Sequence, residues 1–196
     1  MVKGGKRART REKLIEATLA VIAERGFAGA SLDEIAARAG VTTGSVYSNF
    51  RGKAELVWAA ASRRSLRLAP ELAPGASLRE HARAVAHAVM AILPQARADG
   101  AFHRDLQLYV RTDPDLSARQ TQQYAELFDE IAAQLEAAHG DELVIPPRSL
   151  ALGIQALIWG FIAQWTQTPD EVTEPVVAAA FEALAVGASR PSAGAK

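Results

Sequence analysis

Apolar residues recur along this chain at intervals of three and four rather than two, and the segments that carry them are rich in Ala, Leu, Glu and Arg. That period predicts helices throughout and no series of strands. A first helix is expected from an N-cap at Thr10, with Leu14, Ile15, Thr18, Leu19 and Ile22 on one face, to a stop at Gly26. The second opens on Ser31-Leu32-Asp33-Glu34, which has the form of a capping box, and ends at Gly40. A third occupies residues 43–49 and a fourth residues 53–68, before a break at 70–75. Ser77 with Glu80 caps a fifth that runs to Leu93. Further helices are expected over 102–111, from the Asp113-Pro114 cap to 139–140, over 147–166 and over 173–187. The termini, 1–9 and 189–196, read as disordered.

The stretch 31–50 is two short helices joined by a tight turn, the helix-turn-helix arrangement. Its spacing has physical reasons. Ala36 must be small because the next helix crosses close above it, and Gly40 supplies the positive φ that the turn requires. Val46 closes a small core with Leu32, Ile35, Val41 and Phe50; Val46 and Phe50 are four apart and face inward together. A helical wheel then turns Gly44, Ser45 and Ser48 outward, with Tyr47 on one flank and Asn49 on the other. That face fits a major groove. Thr42, Thr43 and Ser45 lie at the helix start, where free N–H groups favour a phosphate, and Lys53 at the start of the next helix reaches the same backbone. Two packed helices in any all-α scaffold share this outline. A small, polar outer face, an aromatic hydroxyl facing solvent and basic flanks favour DNA.

Charge adds to this picture. The chain is neutral overall, yet residues 1–68 hold thirteen Lys/Arg against six Asp/Glu, and residues 69–196 hold nine against sixteen. The basic end is where phosphates go. Absence of cysteine excludes disulfides, thiolate zinc sites and Cys nucleophiles, and suits a cytoplasmic protein. Residues 149–169 carry no charge, but their apolar part, 150–165, includes Gln155 and is shorter than the ~20 residues a membrane span needs. No membrane partner is expected.

The run Gly40-Val41-Thr42-Thr43-Gly44-Ser45-Val46-Tyr47-Ser48-Asn49-Phe50, followed by Lys53, Glu55 and Leu56, resembles the recognition-helix signature of TetR-family regulators. The resemblance covers residues 10–58, including Gly26-Phe27 and Ile35-Ala36; beyond them it is architectural. It implies an all-α fold of about nine helices. A helix-turn-helix DNA-binding domain at 10–56 would precede a ligand-binding and dimerisation domain at 57–188. It implies that Thr43, Ser45 and Ser48 face bases, while Thr42, Tyr47 and Lys53 hold phosphates and Ser31 touches phosphate from its cap. Asn49 stands where the family usually places His. The groove face lacks Arg, Lys and Gln, so direct readout is modest and affinity leans on phosphates and DNA shape.

The last two helices carry small residues at helical spacing: Gly153, Ala156, Gly160 and Ala163 in one, Ala179, Ala183 and Gly187 in the other. Their large apolar residues exceed what one helix face buries. A four-helix interface with a twin chain covers the surplus, as the resemblance implies, whereas a helix buried within a monomer is the alternative. The remaining helices would then enclose a small, largely apolar effector, with His87, Met90, Phe102, His103, Tyr109, Tyr124, Phe128 and Trp159 as candidates for its wall. No enzyme is expected, nor a metal or cofactor: His81, His87, His103 and His139 show no helical pairing, and there is no phosphate loop or nucleophile elbow. The expectation is therefore a dimeric repressor that a small ligand releases from operator DNA. The alternative is a helical-bundle enzyme or a structural helical protein that binds no DNA.

Overall fold

The computed structural model describes residues 3–63, 68, 70 and 75–190. Among these residues there are nine α-helices and no strand, apart from one isolated bridge between Leu143 and Ser189. The helices are α1 (Lys3–Gly29), α2 (Leu32–Ala39), α3 (Thr43–Asn49), α4 (Lys53–Arg63), α5 (Leu78–Ala98), α6 (Gly100–Val110), α7 (Pro114–His139), α8 (Pro147–Gln167) and α9 (Glu174–Ala188). They fall into two compact units. The first joins α1–α4 to Gly100–Thr121; the second holds α5, the part of α7 from Gln122 onward, α8 and α9.

Several boundaries follow from local chemistry. Gly26 has φ 71° and ψ 173°, a region open essentially to glycine alone, so α1 is broken where the sequence suggested a stop. Ser31 caps α2 by accepting the Glu34 N–H, but Glu34 reaches across to Arg25 at 2.7 Å instead of back to the cap, so only half of a capping box forms. At α5 the box is complete between Ser77 and Glu80.

Other boundaries depart from expectation. Residues 3–9, expected to be disordered, form the first turns of α1. They are held from outside: Arg7 and Arg11 donate to carbonyls at the end of α3. Helix α5 continues through Pro94 instead of ending at Leu93, and the buried Asp99 closes it by donating its N–H to the Gln95 carbonyl at 3.0 Å. A fourth helix reaching Leu68 is not seen, since α4 is described to Arg63 and Leu68 is non-helical. The expected break at 70–75 and tail at 189–196 lie mostly outside the described residues. Of the tail, Ser189 pairs with Leu143, and the Arg190 N–H donates to the Glu142 carbonyl at 2.8 Å.

The unit division also differs from a boundary at residue 56. Leu56, Val57, Ala60 and Ala61 of α4 are buried in the first core. Phe102 and Tyr109 of α6 pack on Phe27, with ring centroids 5.1 Å and 5.6 Å away. The remaining core residues of this unit include Leu14, Val21, Ile35, Val46 and Phe50.

In the second unit, α5 packs on α8 and α9 through Leu78, Val85, Val89, Leu150, Ile158, Val177 and Phe181. Glu182 of α9 receives Arg79 and Arg83 of α5 at 2.7 Å and 2.6 Å, and the two guanidinium groups hold its carboxyl below the usual carboxylate range. Helix α8 is 21 residues and is long and apolar enough to cross a membrane by length and composition. Its inner side is packed, whereas Leu152 and Trp159 are exposed, as are Val176 and Val186 of α9.

One polar pair sits in this core. The Nδ1 of His81 lies 3.2 Å from Nε2 of His139, which is buried, so two histidines from distant helices meet although neither has a helical partner in sequence. Among the described residues no third His, Asp or Glu joins them in a group able to hold a metal. Burial first, and the neighbouring His139 second, push the His81 pKa below its ordinary value. The unfolded chain therefore binds more protons as the pH falls through about 6.5, the ordinary histidine value. Stability is undiminished above that pH and is lost progressively below it, toward the lowered folded value. Urea midpoints should fall between pH 7.5 and 5.5, and His81→Leu should flatten the profile; an equally steep profile in that variant would assign the effect elsewhere.

Candidate nucleic-acid interface

The turn between α2 and α3 sets the geometry of this surface. Gly40 adopts φ 67° and ψ 36°, the left-handed C-cap conformation, and its N–H closes on the Ala36 and Ala37 carbonyls. Thr42 then caps α3: its Oγ1 accepts the Ser45 N–H at 3.3 Å and lies 3.1 Å from Ser45 Oγ. Ile35, Ala36, Val46 and Phe50 are all buried. With Val46 and Phe50 locked inward, Gly44, Tyr47 and Ser48 are left exposed, and Tyr47 is 61% accessible despite its aromatic ring. An aromatic phenol that packing leaves in solvent is the most conspicuous feature of this face.

The other expected contacts are placed less simply. Ser31 and Thr42 are exposed, and each is engaged as a cap. Thr43 and Ser45 are half-buried, and the Thr43 hydroxyl donates to Asp33 Oδ1 of α2 at 2.7 Å. With its proton committed there, Thr43 offers only lone pairs to a partner, which suits a base amino group better than a carbonyl. Asn49 turns back on its own helix, donating to the Ser45 carbonyl at 2.8 Å, while its Oδ1 is buried with no partner. Lys53 donates to the Ala28 carbonyl at 3.2 Å and lies 5.5 Å from the Tyr109 ring. Burial lowers its pKa. One of the three ammonium donors of Lys53 thus fastens α4 to the end of α1.

Two residues of this surface escaped sequence reasoning. Arg11 donates Nη1 to the Asn49 carbonyl at 2.9 Å with its guanidinium 4.1 Å above the Phe50 ring, and Arg7 donates Nη2 to the Ser48 carbonyl at 3.3 Å. Their spacing of four in a helix was the available signal. It is hidden because residues 1–9, which hold Arg7, read as disordered.

Residues 14–60 match the family described as "Bacterial regulatory proteins, tetR family". Over that stretch the chain is similar to the TetR family. A curated relative, the HTH-type transcriptional regulator SrpR of Pseudomonas putida, is 37% identical over 81 residues, 41% of this chain and 38% of SrpR. The chain therefore aligns with well under two thirds of that relative's length. Among solved structures, a protein of Pseudomonas aeruginosa PAO1 assigned as a transcriptional regulator has a TM-score of 0.70 at 25% identity, covering 90% of this chain and 88% of its own. The fold is shared as well with the SmeT–triclosan complex, at a TM-score of 0.62 and 20% identity, covering 95% of this chain and 94% of that one.

The eight candidates for an effector wall are divided between the units. Phe102, His103 and Tyr109 belong to the first, where Phe102 and Tyr109 pack on Phe27 and His103 meets Phe102 edge-on at 5.8 Å. His87, Met90, Tyr124, Phe128 and Trp159 belong to the second. His87 is exposed beside Glu174, Met90 packs against the second core, Tyr124 stacks on Phe128 at 6.0 Å, and Trp159 is exposed. None of these lines the cavity of about 10 Å³ within the second unit, whose walls are Leu78, His81, Ala82, Val85, Leu135, Leu150, Ile154, Phe181, Leu184 and Ala185.

Of the residues expected at a dimer interface, Ala156, Gly160, Ala163, Ala179, Ala183 and Gly187 are exposed, with open space where a Cβ would stand at Gly160 and Gly187. Gly153 instead faces inward, and a Cβ there would meet Leu184 at 3.5 Å.

Proposed function

We propose that this chain is a transcriptional repressor that binds operator DNA as a homodimer in the cytoplasm and leaves it when a small, largely apolar molecule binds the second unit. The observation that carries the reading is the exposed α3 face, with Tyr47 in solvent above a buried Val46 and Phe50. The unit built from α1–α4 and Gly100–Thr121 serves DNA, and the α8–α9 face that leaves Leu152, Val176, Val186 and the small residues exposed serves the twin chain. The complex of the like-folded SmeT with triclosan supports an apolar, aromatic effector.

The present cavity, about 10 Å³, holds at most one water, whereas a site for a drug-sized ligand needs roughly 300–1,000 Å³. An effector seated in that cavity must therefore favour a second arrangement of the helices, and only such differential affinity can shift DNA binding. Sedimentation of the protein with duplex DNA tests both parts together. Two subunits per half-site pair are expected, released by apolar compounds that also raise the melting temperature. A monomer at micromolar concentration contradicts the dimer, and DNA retention with every stabilising compound contradicts the effector.

A further inference from the structure

The last turn of α3 carries no basic residue of its own, although the carbonyls of a helix end attract cations. They are supplied by α1. Arg7 and Arg11, one turn apart on the same face, donate to the Ser48 and Asn49 carbonyls respectively, and Arg11 stacks on Phe50. The N-terminal turns of α1 are thus clamped to the end of the very helix whose outer face is exposed. Lys6, Arg7 and Arg9 are themselves exposed. No acidic residue precedes Glu12, and Glu12 pairs with Arg63. Residues 5–10 add about 9 Å of helix, the rise of about two to three base pairs.

We propose that these turns are a second DNA-binding element: a rigid basic ridge, clamped to the recognition helix by Arg7 and Arg11, whose Lys6 and Arg9 contact phosphates outside the base pairs that α3 faces. The proposal rests on the DNA-binding reading above and extends its footprint. A helical ridge holds its cations in place before DNA arrives, so less ordering entropy opposes each contact than in a flexible arm. Such contacts add affinity and salt dependence but no sequence reading.

The test compares two duplexes. One is recovered by the wild-type protein from a random pool; the other is the same duplex trimmed by about four base pairs at each end, a length chosen to exceed the two to three that the ridge spans. The wild type should bind the longer one about tenfold or more tightly, the equivalent of one hydrogen bond to a charged group. Lys6→Gln and Arg9→Gln together, which keep good helix formers at exposed positions and leave the Arg7 clamp in place, should abolish that difference and leave binding to the trimmed duplex as in wild type. The slope of log affinity against log salt should shrink by about 0.9 for each phosphate that is no longer neutralised. If the double variant keeps the full length dependence and the full slope, the ridge does not touch DNA. If the wild type recovers no duplex at all, the DNA-binding reading falls first and the ridge with it.

Discussion

Phe50→Ala is expected to destabilise the first unit by about 3–5 kcal/mol, the range for emptying a buried aromatic site, because Phe50 is 2% exposed and shares one core with Leu14, Ile35, Val46 and Leu56. It also removes the ring on which Arg11 stacks. The loss is a large share of the roughly 5–15 kcal/mol that holds a typical domain together. Urea unfolding read by amide exchange in α1–α4 should show this unit opening first, with DNA affinity falling alongside. A change below about 1 kcal/mol, the size of an ordinary surface substitution, would show that α3 is not fastened through Phe50.

Tyr47→Phe keeps the ring and deletes only the hydroxyl, so it separates packing from contact. In the free protein it should be silent, since Tyr47 is exposed. On DNA it should cost roughly 1.5–3 kcal/mol per subunit, the range for hydrogen bonds to charged groups, and equally on cognate and unrelated duplexes, because a phosphate contact positions without reading. Ser45→Ala should instead weaken the cognate duplex more. Fluorescence anisotropy on both duplexes at one salt concentration distinguishes the two roles, and unchanged affinity of Tyr47→Phe would mean that the hydroxyl faces water in the complex.

Much of the recognition motif was legible because its determinants are local. Ser31, Gly40 and Thr42 act on backbone groups within four residues, and Val46 with Phe50 sets the inward face by spacing alone. Side chains that reach across the chain were not legible. Lys53 looks like a surface cation until its ammonium is seen donating to the carbonyl of Ala28, 25 residues away. Residues 3–9, with two glycines and four cations, look too polar to order, and the carbonyl that holds Arg7 lies 41 residues on. Phe102 and Tyr109 read as members of a C-terminal lobe because nothing local announces that α6 packs on Phe27. The wheel turns Ser45 outward and puts Asn49 on its flank. The structure leaves both half-buried, since their short side chains bond back within α2–α3.

The central claim is that the exposed face of α3 reads DNA in pairs. Selection from a random duplex pool, followed by footprinting of the recovered sequence, tests it most directly. The account predicts a near-palindrome with two protected half-sites about 34–36 Å apart, or a near variant, and binding that weakens steeply with salt. Enrichment of no sequence, or of a single unsymmetrical contact region, would contradict it.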